Sequence, residues 1–208
     1  MFYALTLLFN SSITYSHGLA EGRIILRSLV ELFITLHFLA KSDNDKMWLQ
    51  YRRYGNGQAK LAFLKNIREE DVPEFIDMEL LESLANEDRW LEFNDIDLGQ
   101  WANTNLRKMA EISGVKDVYD RYYDWTSGYA HGHWVCVRDT VFVTCANPLH
   151  RFHRIPSPPK SDMPSILRDG CRLVNRMLDE LNGLYPTFKP RITWHNSGDG
   201  GSKGASSG

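Results

Sequence analysis

An all-α fold, a single helical domain with an irregular or extended arm near residues 134–160, is what this 208-residue sequence predicts. Three observations predict it. Apolar residues recur at helical spacing over 1–17, 19–40 and the stretch "PSILRDGCRLVNRMLDELNGLYP". Capping residues, glycines and prolines punctuate the chain between such stretches. The β-branched run that could make strand is confined to residues 134–145. With 43% hydrophobic and 24% charged residues the composition is that of an ordinary globular protein, and its length suits one sizeable core.

The elements follow in order. Residues 1–17 and 19–40, with "HGLAEG" between or within them, form an αα-hairpin or one long helix interrupted near Gly18. "MFYALTLLFN" reads as a helix entered midway, so the expectation is that native residues precede Met1. "SDND" stops the second helix, and a third runs from about Trp48 to Ile67 with Gly55 and Gly57 weakening its middle. In "EEDVPEFIDMELLESLANEDRWLE", Asp71 is the expected N-cap and Pro73 lies near the first turn. Trp101–Ser113 forms a helix stopped by Gly114, after which Asp117 caps a new start. Residues 134–145 stay open between strand and helix. The last helix ends at Gly183 and Pro186, so the domain spans 1–186, and 187–208 is a low-complexity tail or a remnant of expression.

Net charge is only −2, so bulk electrostatics announces neither a nucleic-acid nor a membrane partner. The distribution is uneven: residues 69–100 hold twelve acids against one base, while 147–191 hold eight bases against four acids. Three cysteines, Cys136, Cys145 and Cys171, form no disulfide framework and fit a cytoplasmic location. No uninterrupted apolar run reaches membrane-spanning length.

The chemistry-bearing residues sit in three places. In "RIILRSLVELFITLHFLA", Arg23, Arg27 and Glu31 share a stripe with Ile34 and Phe38, while Ile25, Leu29, Leu32 and Leu36 lie opposite, so protein should cover both sides. A buried arginine needs an acceptor, and Glu31 one turn on supplies it; on that reading Arg27→Ala costs about 3–5 kcal/mol. In "DRYYDWTSGYAHGH", Asp120, Asp124, Ser127 and His131 share an arc on a regular helix, with Tyr123 beside them. If the two stripes meet, Arg27, Glu31 and His131 form a catalytic or anion-holding group assisted by Tyr123 and Ser127. Alternatively the same residues form a structural polar network that sets helix register. "NPLHRFHR" puts His150, Arg151, His153 and Arg154 around Phe152, a cluster suited to phosphates and stacked bases or to docking on a second subunit. The histidines and cysteines of 131–153 match no strong zinc spacing, so no metal and no cofactor are expected.

On "RSLVEL" at 27–32, Trp101 with "LRKMAEISG", "YDRYYDWTSGYAHG" and "VRDTVF…NPLHRFHR", the chain resembles a bacterial family catalogued as a domain of unknown function. That resemblance spans most of 20–182 and implies an all-helical fold without an assigned activity. The chain is also similar, more weakly, to HEPN helical domains, many of them dimeric ribonucleases. No arginine here precedes a histidine at the HEPN spacing, so a ribonuclease or other hydrolase of that kind would need a rearranged site. The expected partners are a homo-oligomeric copy and a nucleic-acid or nucleotide ligand, with no membrane.

Overall fold

A computed structural model describes residues 1–13, 19–68, 72–86, 101–158, 165–187 and 189–193. The chain divides into two compact units, residues 1–37 with 115–208, and residues 38–114.

The first unit holds α1 (Phe2–Ile13), α2 (Leu19–Ser42) up to His37, and everything after Gly114. Its core is formed by α1, α2 and the long final helix α9 (Ser165–Leu184). On α9 the buried residues Ile166, Leu167, Gly170, Cys171, Leu173, Val174, Met177 and Leu178 recur every three or four positions, which is one face of a helix. Ala4 and Leu8 of α1 and Leu26, Leu29, Val30 and Phe33 of α2 are buried as well. Gly170 permits the close approach: a Cβ there would lie 2.8 Å from the Leu8 side chain and 3.4 Å from that of Leu29. Each fully buried side chain of this kind contributes about 1.5–3 kcal/mol by leaving water.

After α6 (Lys116–Val118) the chain makes a π-helical turn at Tyr119–Tyr123, then α7 (Asp124–Ala130) and α8 (Trp134–Val141). Gly132, at φ 63°, supplies the left-handed turn between α7 and α8. The ambiguous segment 134–145 is both things it could have been, because α8 ends at Val141 and β1 (Phe142–Thr144) begins directly. β1 pairs antiparallel with β2 (Arg154–Pro156), aligning Phe142 with Pro156 and Thr144 with Arg154. The expected extended arm is this hairpin.

The second unit contains the end of α2, α3 (Asp45–Asn66), α4 (Met78–Asn86) and α5 (Leu106–Ser113). Asn44 caps α3 by accepting from the Lys46 amide at 2.9 Å. Trp101 packs edge-on against Phe38 and Tyr51, and its carbonyl accepts from Gln50 Nε2 at 2.6 Å. Asn105 caps α5, and Gly114, at φ 76°, ends it as expected.

Some expected boundaries move. α4 starts at Met78 rather than at Pro73, because Asp77 accepts from the Leu80 amide at 2.9 Å while Pro73–Ile76 closes a turn; Asp71 lies outside the described residues. α5 starts at Leu106 rather than Trp101 for the same reason, since Asn105 caps it. Asp117 does not cap α6; it pairs with Arg176 at 3.3 Å. Of the expected tail, residues 189–193 pack on α9 through Asn175, which exchanges two hydrogen bonds with the Ile192 backbone at 2.8 and 2.9 Å. Most of the rest of that tail lies outside the described residues. Among the described residues no helix is long and apolar enough to cross a membrane.

Candidate functional site

Arg23 and Arg27 of α2 are both drawn to the segment Tyr119–Asp139. Arg23 lies over the rings of Tyr129, at 4.5 Å, and Trp125, at 5.2 Å. Its Nη1 donates to the Tyr129 hydroxyl and sits 3.5 Å from Asp139 Oδ2, while that hydroxyl donates to the same carboxylate oxygen at 2.6 Å. Burial, followed by the hydrogen bond to Asp139, pushes the Tyr129 phenol well above its ordinary range, against the opposing pull of Arg23. The hydroxyl therefore stays protonated at any physiological pH. Cys136 is buried against Tyr129, and burial raises its thiol as well, which makes it an inert packing group.

One turn along α2, Arg27 is buried with its guanidinium 3.9 Å above the Tyr123 ring. Its Nη1 is 2.7 Å from Glu31 Oε1, the ion pair the spacing predicts, but neither Nη1 nor Nε makes a well-directed hydrogen bond. Glu31 is 50% exposed at its side chain, so water already solvates the carboxylate. Arg27 is thus held by a ring face and one ion pair, with weak polar satisfaction.

The π turn explains which residues meet Arg27. Widening the helix at Tyr119–Tyr123 stacks those two rings, 4.4 Å apart and within 16° of parallel, and sets Tyr123 under the arginine. Thr126 fastens the turn by donating to the carbonyls of Tyr122 and Tyr123. The arc of Asp120, Asp124, Ser127 and His131 assumed an uninterrupted α-helix, and that register is broken here. α7 then ends at Ala130, leaving His131 exposed at the C-cap with its ring nearest that of His133, at 6.1 Å. Ser127 is half-buried and its carbonyl accepts from the His131 amide.

Farther along α2, His37 is buried, with Nδ1 2.8 Å from the Phe33 carbonyl and Nε2 3.7 Å from Glu180. Burial lowers its pKa, the backbone bond and Glu180 opposing. Arg176 of α9 reaches across to Asp117 and over the Phe33 ring.

The hairpin collects the remaining residues. Arg154 donates to the Thr144 hydroxyl across the two strands. Arg151 and Phe152 are exposed and adopt left-handed backbone, at φ 47° and 58°. His150 and His153 face each other with ring centroids 5.1 Å apart, and Cys145 Sγ is 3.5 Å from His150 Nδ1. Elsewhere, a cleft of about 520 Å³ between α1 and α9 is lined by Phe2, Leu5, Phe9, Leu167, Cys171 and Ile192. Among the described residues its lining is mainly apolar, with Cys171, whose thiol burial raises, at one side, a surface suited to an apolar group.

Sequence reasoning grouped Arg27, Glu31 and Tyr123, which the fold brings together, but missed Tyr129 and Asp139 as the neighbours of Arg23 and Cys136 beside Tyr129. The available signal was Arg23, grouped with Arg27 in one stripe and given no partner.

Fold and site together define a helical protein with an internal arginine–tyrosine clasp and a short β-hairpin arm. The chain belongs to a family of unknown function, DUF5677, whose profile matches residues 4–145. No curated protein and no solved structure matches it, and the likeness to HEPN domains finds no support.

Proposed function

We propose that this protein is a non-catalytic interaction protein that self-associates through its hairpin arm, residues 142–156, with the α2–α7 polar residues serving as a structural clasp. One observation carries the reading: Arg23, Tyr129 and Asp139 direct their polar atoms at one another, while His131, the expected acid–base group, stands exposed at the end of α7. A reaction centre needs its acid–base group within hydrogen-bond reach of the other participants. Here the polar groups are consumed internally.

The arm has the composition of a docking element. Leu149 is 87% exposed, Phe152 70% and Trp134, at the start of the adjoining helix, 61%. Arg151 and Arg154 lie among them, and residues 140–158 contain no acid. An acidic surface that also exposes apolar side chains complements this tip, and the chain carries one of its own. Within the acid-rich stretch 69–100, α4 exposes Leu80 and Leu84 beside Glu79 and Glu82, with Phe75 exposed just ahead of it. The occupant of the arm is therefore the α4 region of a second copy. Two arginines on a chain of net charge −2 are a weak electrostatic basis for nucleic acid by comparison. The free thiols fit a reducing compartment, and the reading carries a cytoplasmic location.

Sedimentation equilibrium tests it. The wild-type chain at about 10 µM should show a dimer, and Leu149→Ser with Phe152→Ser, or Arg151→Glu alone, should shift it to monomer without changing the helical circular dichroism. A wild-type monomer that binds single-stranded RNA through Phe152 would overturn self-association and give the arm to nucleic acid.

A further inference from the structure

We propose that Cys145, His150 and His153 form a binding site for one divalent transition-metal ion of the zinc class, with solvent as the fourth ligand. The three side chains come from one nine-residue loop between β1 and β2, and their ligand atoms all lie within 4.8 Å of one another. Thiolate and imidazole are the donors that zinc and its neighbours prefer over magnesium or calcium. The separations fit as well. With metal–sulfur and metal–nitrogen bonds of about 2.3 and 2.05 Å, a tetrahedral site has a sulfur-to-nitrogen edge of about 3.6 Å. Cys145 Sγ and His150 Nδ1 are 3.5 Å apart.

The backbone holds these donors in position. The Cys145 amide donates to the His153 carbonyl at 2.9 Å, so the first and last ligands are tied at the mouth of the hairpin. Inside the loop, the His150 amide bonds the Asn147 carbonyl at 3.1 Å and the His153 amide bonds the His150 carbonyl at 3.2 Å. Between the two histidines, Arg151 and Phe152 both adopt the left-handed conformation, which is costly for residues other than glycine. Those two residues turn the chain so that the His153 ring comes back to that of His150.

Asn147 sets a donor, not an acceptor, beside the outer nitrogen of His150. Its Oδ1 accepts from the Leu149 amide at 3.0 Å, and its Nδ2 lies 3.3 Å from His150 Nε2. When Nδ1 binds a metal, the ring carries its proton on Nε2 and needs an acceptor there. Metal-bound histidines commonly donate that proton to a carboxylate. A carboxylate at position 147 should therefore tighten the site. Binding also expels the Cys145 thiol proton, so affinity rises with pH.

The test is a cobalt(II) titration, with zinc competition, of the full chain carrying no added histidine tag and kept reduced by a phosphine. One equivalent should bind more tightly than about 10 µM and produce thiolate-to-cobalt charge-transfer absorption that zinc abolishes. Cys145→Ser should remove that absorption, and His150→Ala or His153→Ala should weaken binding by more than about 100-fold, beyond the range of an outer-sphere change. Asn147→Asp should tighten binding about 10-fold, a gain that a damaged fold would not give. His131→Ala with His133→Ala should leave the titration unchanged. The proposal is overturned if no charge-transfer absorption appears, or if binding is the same in Cys145→Ser and His153→Ala as in the wild type.

Discussion

Replacing Tyr129 by phenylalanine removes one oxygen from the clasp and leaves its ring under Arg23. The hydroxyl donates to Asp139 at 2.6 Å and accepts from Arg23, two bonds to charged groups. Each such bond is worth about 1.5–3 kcal/mol, so simple addition would give about 3–6. The geometry argues for less. Arg23 Nη1 is already 3.5 Å from Asp139 Oδ2 and can close on it directly, and the Asp139 side chain is 30% exposed, so water can reach the carboxylate in place of the hydroxyl. The cation–π contact at 4.5 Å persists. The expected loss is about 2 kcal/mol. Asp139→Ala should cost about as much, because it leaves Arg23, whose side chain is only 13% exposed, without a counter-charge. Because the pair shares atoms, the double variant should lose about 1–2 kcal/mol less than the sum of the singles. Urea unfolding followed by circular dichroism measures all four proteins. A loss below about 0.5 kcal/mol for Tyr129→Phe, or strict additivity in the cycle, would show that the clasp holds nothing together.

Further predictions follow from neighbouring residues. Because Glu31 is half-exposed and can rehydrate, Arg27→Ala should cost about 1–2 kcal/mol rather than the 3–5 of a fully buried pair, and Arg27→Met should fall within about 0.5 kcal/mol of wild type in the same assay. His37 has a folded-state pKa below its unfolded value of about 6.5, so the unfolded chain takes up the proton first. Stability is therefore retained above that value and lost as pH falls through it, by at most about 1.4 kcal/mol per pH unit. His37→Gln should flatten a urea-midpoint profile between about pH 7.5 and 5.5, and an unchanged slope would show that His37 is not the titrating group. At Gly128 an added Cβ would lie 2.6 Å from Cys136 Sγ, so Gly128→Ala should lower stability by about 1–2 kcal/mol despite alanine's better helix propensity. Adding Cys136→Ala should restore part of that loss; no restoration would locate the clash elsewhere.

The helical class was legible because apolar spacing, caps and glycine stops act locally, and α2, α3, α9 and the Gly114 stop lie where those signals put them. The start of α4 was harder to place: the sequence offers Asp71 as the cap, whereas the Asp77 carboxylate accepts from the Leu80 amide after Pro73–Ile76 closes a turn. The Arg27–Glu31 pair was readable for the same local reason. The Arg23–Asp139 pair was not, since it joins residues far apart in sequence and Asp139 sits where helix and strand signals conflict. The π turn was invisible to a reading that assumes 3.6 residues per turn, and together with the end of α7 at Ala130 it changes which side chains of 119–131 share a face. The loop donors fit no zinc template by spacing, because a hairpin register, not a spacing rule, brings Cys145 to His153.

Hydrogen exchange of the arm as a function of protein concentration tests the proposed self-association most directly. The exposed amides of the loop between β1 and β2, and those of α4, should exchange more slowly as concentration rises from about 1 to 100 µM, and the Phe152→Ser chain should lose that dependence. Exchange in both segments that is independent of concentration, in a wild-type chain that remains folded, would contradict the account.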